Sequence, residues 1–341
     1  MSRAPDIDYT ATSLRPSWAS LPPALHESLT VALGTNITHV HNPVTSGFTG
    51  GFAARADLAD GRQVFIKAAP EGLHAYQAYQ REAEVVPQLP NSVRAPAIIT
   101  TAHTTPTGTT GTTTPGGGGG RWFAVVSEWV DGRMPGGPWT VEDFGRVTAA
   151  CEQMAEALWP SPLVGLKKFG ELVAEDVGVP AAVLSGEQEL PTGLQGWVPQ
   201  VLPELVELMQ LAPEALAGDT AAHSDLRPDN LLIDDAGTCW TIDWNWLTLG
   251  PAWLDWVGLL PVAQYQGIDT FTAITRSPLT ADVPSDYLDS FVAVIAAYMM
   301  KNADAPPPPG CTPALRAHQR LYAWTFLDWL AARRRWHTVD V

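Results

Sequence analysis

Cysteine, long apolar runs and positive charge are all scarce in this 341-residue chain. The three cysteines, Cys151, Cys239 and Cys311, are odd in number and lack metal-type spacing, which disfavours a disulfide framework or a cysteine-held metal. The longest apolar run, Phe291 to Met300, has ten residues, about half of the ~20 that cross a bilayer. Residues 1–20 lack the basic and apolar regions of a secretory signal. We therefore expect no membrane partner and a reducing cytoplasm.

The net charge of −16 is unevenly distributed along the chain. Residues 121–260 carry 21 acidic against 6 basic side chains, whereas the segments before and after are nearly balanced. We expect no nucleic-acid partner, because phosphate binding needs the opposite sign. An acidic cleft would attract a cationic small molecule. The alternative, that the acids only solvate the surface, remains open.

Residues 221–246 contain the side chains that predict a metal site and a catalytic carboxylate. They contain His223-Ser-Asp225-Leu-Arg-Pro-Asp-Asn230, an apolar triplet, an Asp/Gly turn and a second apolar run that ends at Asp243. Two apolar runs around such a turn predict a β-hairpin, which brings Asn230 and Asp243 to one end. These two oxygen ligands fit Mg²⁺ that completes its coordination with waters and phosphate oxygens. Asp225 is left free for a substrate.

This pattern, His-x-Asp-x-x-x-x-Asn followed by Ile-Asp, is typical of the catalytic and metal loops of the kinase fold. With Ile242-Asp243-Trp244, it resembles the aminoglycoside phosphotransferase family more closely than the protein kinases, which usually have Asp-Phe-Gly and then Ala-Pro-Glu. The family usually has glycine where this chain has Ser224. The resemblance implies a two-lobed α+β, protein-kinase-like fold. Residues 1–130 would form a nucleotide-binding lobe with a small antiparallel sheet and one helix, and residues 131–341 a mainly helical lobe.

The same resemblance assigns roles to individual residues. Asp225 becomes the catalytic carboxylate, and Asn230 and Asp243 the Mg²⁺ ligands. Seven further residues are implied to form the site for ATP, and the sequence does not exclude GTP. They are Gly47 and Thr49 of a Gly-rich turn, Lys67 at the end of an apolar strand, Glu82 on the following helix, Glu128 and Val130 of the hinge, and Ile242. Glu82 is implied to be the ion-pair partner of Lys67. Asp255 matches a family acid that braces the catalytic loop.

Residues 104–120 form a Thr/Pro/Gly tract that ends in five glycines. Such a composition cannot bury apolar area, so it predicts a disordered hairpin loop without a function.

The predicted function is transfer of the γ-phosphate of ATP to a hydroxyl of a small, cationic molecule, an aminoglycoside or another antibiotic being typical of the family. Two alternatives remain: a metabolic kinase of an amino sugar or amino alcohol, and a nucleotide-binding pseudokinase. The set Lys67, Glu82, Asp225, Asn230 and Asp243 argues against the pseudokinase, which needs none of them. The acceptor pocket is expected in the C-terminal part, and the sequence does not identify its side chains or the oligomeric state.

Overall fold

The computed structural model describes residues 7–48, 50–104, 120–194, 196–308 and 310–336. Thr49 and residues 105–119, the greater part of the predicted disordered loop, lie outside the described residues. Across the described ranges, no helix combines the length and apolar character that a membrane span requires.

A five-stranded antiparallel sheet occupies the first part of the chain, with strand order β1-β2-β3-β5-β4. The Asp60-Gly61 turn joins its central hairpin, and Gly61 has the positive φ of 87° that such a turn requires. The strands are β1 (Ile37–Val40), β2 (Phe52–Leu58), β3 (Gln63–Pro70), β4 (Ile98–His103) and β5 (Trp122–Glu128).

One helix covers each face of this sheet. Helix α1 (Pro23–Leu33) buries Leu25 and Leu29 on one face, in a cluster that includes Val126. Helix α2 (His74–Val85) packs on the opposite face, in a cluster with the adjacent Val125. Neighbouring residues of a strand point to opposite faces, so β5 contributes to both clusters. The sheet is therefore buried on both sides and gives Lys67 a rigid platform.

The second part of the chain is mainly helical. Its helices are α3 (Val141–Ala157), α4 (Phe169–Leu172), α5 (Val179–Leu184), α6 (Val198–Gln210), α7 (Ala212–Ala215), α8 (Leu254–Tyr265), α9 (Thr270–Arg276), α10 (Ser285–Asn302) and α11 (Ala314–Arg334). Five short strands complete the fold: β6 (Gly132–Arg133), β7 (Thr220–Ala222), β8 (Leu231–Asp234), β9 (Cys239–Thr241) and β10 (Thr248–Gly250). Its core contains the fully buried rings of Trp244, Trp256, Phe326 and Trp329.

The N-terminal segment connects the Gly-rich turn to helix α11. The hydroxyl of Thr12 donates to the carbonyl of Gly47 at 2.6 Å. The carbonyl of Thr12 in turn accepts from the hydroxyl of Thr312 at 2.5 Å, just before α11. Tyr9 adds a 3.0 Å hydrogen bond to His318 on that helix. These contacts hold the turn between β1 and β2 close to the helical part.

Candidate active site

The predicted hairpin brings the two loops of the motif together. Strand β8 pairs antiparallel with β9, with Leu231 opposite Thr241. Beyond this pair, the N–H of Ile242 donates to the carbonyl of Asn230 at 3.0 Å. Asn230 and Asp243 therefore flank the same end of the hairpin, and both line a cavity of about 690 Å³ that Asp225 also lines.

Asp225 is held by a neighbouring guanidinium. Arg227 donates to Asp225 and, through its other nitrogens, to both oxygens of Asp229 at 3.0 and 3.1 Å. Burial raises the pKa of Asp225 to about 6, although Arg227 acts in the opposite direction. This carboxylate is thus fixed at the cavity wall, with a pKa close to the range in which a general base works.

The donor set around Asp243 consists of hard oxygens. Asn230 uses its Nδ2 to donate to the carbonyl of Asp225 at 2.8 Å, which leaves its Oδ1 for a cation. Asn245 likewise donates Nδ2 to Asp243 at 2.8 Å, and its buried Oδ1 has no hydrogen-bond partner among the described residues. Carboxylate and amide oxygens are the ligands that Mg²⁺ prefers, and an orphaned buried oxygen nearby fits this chemistry. The residues present therefore fit the predicted magnesium ion.

The same site does not form a complete protein cage. In the part of the chain that the structure describes, no group of three or more His, Cys, Asp or Glu side chains is arranged to hold a metal. Mg²⁺ usually keeps waters and binds substrate phosphates with only one or two carboxylates. Such an ion would therefore depend on a bound nucleotide for the rest of its coordination.

Lys67 forms the predicted ion pair with Glu82. Its Nζ lies 2.8 and 2.9 Å from the two carboxylate oxygens of Glu82, and 3.0 Å from Oδ1 of Asp243. Burial lowers the pKa of Lys67, but the charges of Asp243 and Glu82 outweigh it and raise the pKa overall. The lysine therefore stays charged between the sheet, helix α2 and the metal loop.

The Gly-rich turn closes over this cavity. Gly47 has a positive φ of 82° and lines the cavity. Its phosphate contact stays a prediction. Its neighbour Phe48 places its ring 5.3 Å from the guanidinium of Arg227. The side chain of Arg15 fastens the turn by donating to the carbonyls of Ser46 and Gly51 at 2.9 and 2.7 Å. The predicted phosphate contact of Thr49 lies outside the described residues.

The predicted hinge residues lie apart from the main cavity. Glu128 and Val130 line a second, more open pocket of about 570 Å³ beside Trp240. The backbone of Glu128 donates to Ala97 at 3.0 Å, whereas the N–H of Val130 has no hydrogen-bond partner among the described residues. Of the predicted nucleotide residues, the main cavity brings together Gly47, Lys67 and Ile242. The adenine contacts of Glu128 and Val130 stay predictions.

Asp255 braces the catalytic loop as predicted. Its two carboxylate oxygens accept from the backbone N–H groups of His223 and Ser224 at 2.7 and 2.8 Å. Ser224 has a left-handed φ of 66°, a conformation that favours glycine. Its hydroxyl hydrogen-bonds Thr248 at 2.6 Å, which helps a serine to occupy the position.

Comparison with known proteins identifies the chain. The model of the phosphotransferase enzyme family, APH, matches residues 45–287. The chain belongs to this family. The predicted enzyme class, an ATP-dependent small-molecule kinase, is confirmed with the family. No curated protein matches the sequence.

Solved structures of phosphotransferases share the fold. A thermostable mutant of aminoglycoside phosphotransferase APH(4)-Ia, in complex with AMP-PNP and hygromycin B, has a TM-score of 0.59 and 14% identity over 93% of this chain and 100% of that one. Spectinomycin phosphotransferase APH(9)-Ia, with ADP and spectinomycin, has a TM-score of 0.57 and 12% identity over 91% and 98%. A putative fructosamine-3-kinase from Thermobifida fusca has a TM-score of 0.51 and 17% identity over 89% and 99%. The predicted two-lobed kinase-like fold is confirmed.

Four residues of this phosphotransferase site were missed by sequence reasoning: Arg15, Phe48, Arg227 and Asn245. The role of Arg227 could have been predicted from the sequence, because an arginine two positions after the catalytic carboxylate is close enough to pair with it. The contact of Asn245 with Asp243 could have been predicted in the same way, because Asn245 lies two positions after Asp243. Arg15 carries no local signal, since its partners lie more than 30 residues away.

Proposed function

We propose that this phosphotransferase moves the γ-phosphate of ATP to a hydroxyl of a small molecule bound in the 690 Å³ cavity. The observation that carries the proposal is the convergence of Lys67, Asp225, Asn230 and Asp243 on one cavity. Each has the residue type that phosphoryl transfer requires. Catalysis of this reaction depends on positioning and on charge neutralisation, which these groups supply together.

The nucleotide end of the cavity receives the phosphates. Lys67, kept in place by Glu82, would pair with phosphate oxygens, and the backbone of Gly47 would approach them from above. Ile242 would pack against the base, and the N–H of Val130 is available to its polar edge. Residues 1–130 would thus form the nucleotide-binding lobe, with the acceptor in the lobe formed by residues 131–341.

Asp225 acts on the acceptor. Its carboxylate would orient the hydroxyl and accept its proton as the new bond to phosphorus forms. Arg227 fixes the rotamer of this carboxylate through an ion pair. Asn230 and Asp243 would hold Mg²⁺, which neutralises phosphate charge when it is bound.

The acceptor predicted from the family resemblance is an aminoglycoside-like or other antibiotic, with a metabolic amino sugar or amino alcohol as the alternative. Hygromycin B, spectinomycin and fructosamine appear in the names of the structural neighbours. These neighbours support a hydroxylated small-molecule acceptor. The cytoplasmic location stays a prediction.

A two-part experiment tests this function. Isothermal titration with AMP-PNP and Mg²⁺ measures nucleotide binding, and transfer of labelled γ-phosphate to a panel of hydroxylated small molecules measures chemistry. We expect wild type to bind the nucleotide and to label an acceptor, and Asp225→Asn to bind the nucleotide only. Equal labelling by both proteins would contradict the proposal.

A further inference from the structure

The acceptor end of the cavity has apolar walls. Its lining includes Phe169 and Leu172 of α4, Leu254 of α8, Phe291 and Ile295 of α10, and Phe326 of α11. Leu254, Phe291 and Phe326 are at most 2% exposed. The ring of Phe291 packs 5.9 Å from that of Phe169. Phe169, Leu254, Phe291 and Phe326 belong to the packed core, so most of the wall is fixed before any acceptor enters.

The carboxylates at the catalytic end already have cationic partners. Asp225 and Asp229 share the guanidinium of Arg227. Asp243 lies 3.0 Å from the ammonium of Lys67. An incoming ammonium group would have to compete with these buried cations for the same carboxylates.

The two remaining carboxylates that line the cavity among the described residues are also engaged. Asp255 accepts two backbone N–H groups, from His223 and Ser224. Asp176 lies 3.4 Å from the ammonium of Lys301. Among the described residues, every carboxylate of the cavity lining is thus engaged before a polycation arrives.

The cost of desolvation decides between a cationic and an apolar acceptor. A charge buried without a partner is strongly unfavourable, whereas apolar surface gains free energy when it leaves water. We propose that the acceptor of this enzyme is an uncharged, hydroxyl-bearing molecule with an apolar body that packs between α4, α8, α10 and α11. This proposal rests on the proposed function. In the transfer, the acceptor hydroxyl loses its proton to Asp225, its oxygen bonds to the γ-phosphorus, and ADP leaves with the bridging oxygen.

The acidic excess of residues 121–260 does not argue for a cationic acceptor. Of its 21 acidic side chains, five line the cavity, and each of the five already has the ion-pair or backbone N–H partners described above. Of the others, Asp143 is buried against Arg133, and the rest are exposed or half-buried and solvate the surface. The cationic acceptor expected from the charge distribution therefore finds no free anionic contact at the cavity wall.

Binding to the nucleotide-loaded enzyme tests the proposal without requiring turnover. The protein is saturated with AMP-PNP and Mg²⁺ and titrated calorimetrically with two neutral apolar probes, octyl glucoside below its micelle concentration and chloramphenicol. Glucose, which lacks the apolar body, and kanamycin, a polycation, are the comparison probes. We expect at least one apolar probe to bind roughly tenfold or more tightly than either comparison probe. Kanamycin or glucose binding as tightly as the better apolar probe, or neither apolar probe binding, would overturn the proposal.

A matched pair of variants locates the binding. Leu172, 41% exposed, lines the cavity from α4, and Leu184, 52% exposed at the end of α5, does not. Both sites are exposed enough to accept glutamate without a change of fold. Leu172→Glu should weaken binding of the better apolar probe roughly tenfold, because it places a charge against the apolar body. Leu184→Glu should bind it as wild type does. An equal effect of the two changes, or no effect of Leu172→Glu, contradicts the proposal.

Failure of this inference can be told from failure of the proposed function. AMP-PNP binding and the loss of transfer in Asp225→Asn do not depend on whether the acceptor is apolar or cationic. If both hold while kanamycin is the preferred ligand, the kinase function stands and the apolar acceptor is wrong.

Discussion

The nucleotide end and the acceptor end of the cavity are built in opposite ways. At the nucleotide end, charged side chains meet in ion pairs, such as Lys67 with Glu82 and Asp243. At the acceptor end, helices α4, α8, α10 and α11 present apolar side chains that are continuous with the core. Ion pairs therefore hold the catalytic side chains in place, whereas the packing of the helices selects the acceptor. Changes at the two ends should therefore have separable effects.

The largest effect is expected from Asp225→Asn. The change removes the group that accepts the proton, so kcat should fall by about 10²- to 10⁴-fold while nucleotide affinity is retained. Labelled phosphate transfer and AMP-PNP titration measure the two quantities. Asp235→Asn, in the exposed turn of the β8–β9 hairpin, is the control and should behave as wild type. A comparable loss in the control would point to a disturbed hairpin.

Asp243→Ala should weaken nucleotide binding in magnesium at least about tenfold, because it deletes a proposed metal ligand. A chelator added to wild type should produce the same loss, and it should have no further effect on the variant. Titration of AMP-PNP with and without Mg²⁺ measures this. Metal-dependent binding that persists in Asp243→Ala would remove this residue from the metal site.

Lys67→Ala and Glu82→Ala should act as one unit. The side chains are only 14% and 10% exposed, so removing either leaves the other buried without its main partner. The double variant should be little worse than either single variant in kcat/KM, with a coupling energy of about 0.5–3 kcal/mol. Glu84→Ala, on the same helix but 68% exposed, is the control and should have little effect. Additive losses would show that the pair does not act together.

The dependence of the acceptor KM on ionic strength distinguishes an uncharged acceptor from a cationic one. Salt shortens the Debye length from ~30 Å at 0.01 M to ~8 Å at 0.15 M, which weakens steering of charged ligands. The KM of an uncharged acceptor should therefore stay constant over this range. A KM that rises with salt would favour the cationic acceptor that the charge distribution suggests.

The smallest effect is expected from deletion of residues 105–119, between β4 and β5. Thr104 and Trp122 are already joined by hydrogen bonds of 3.0 and 2.9 Å at the end of β4 and β5. Replacing residues 105–119 with a short turn should change activity and Tm little, since loop length costs only ~0.6 kcal/mol per doubling. Kinetic assay and thermal unfolding of the deletion check this. A large loss of activity would assign the tract a function.

The local elements were largely predictable from the sequence. The alternation of apolar and charged residues from Ala54 to Leu58 and the Asp60-Gly61 turn predict a strand from Phe52 to Leu58, and the structure has a strand with those bounds. The sequence also predicts a first strand from Ile37 to Val44, but the strand ends at Val40. Pro43 cannot donate to a sheet ladder, which explains the earlier end.

The sequence by itself determined the catalytic hairpin, the family and the ion pair of Lys67 with Glu82. Each depends on a short motif or on one strand followed by one helix, so spacing along the chain implies proximity in space. The apolar character of the acceptor end and the support of the Gly-rich turn by Arg15 depend on how distant segments pack together. The acceptor wall joins Phe169 to Phe326, residues far apart in sequence whose common wall exists only after the helices pack. The net charge takes no account of the partners of each side chain, and it therefore predicted a cationic acceptor. In the folded cavity, every carboxylate in the lining among the described residues already has an ion-pair or backbone N–H partner.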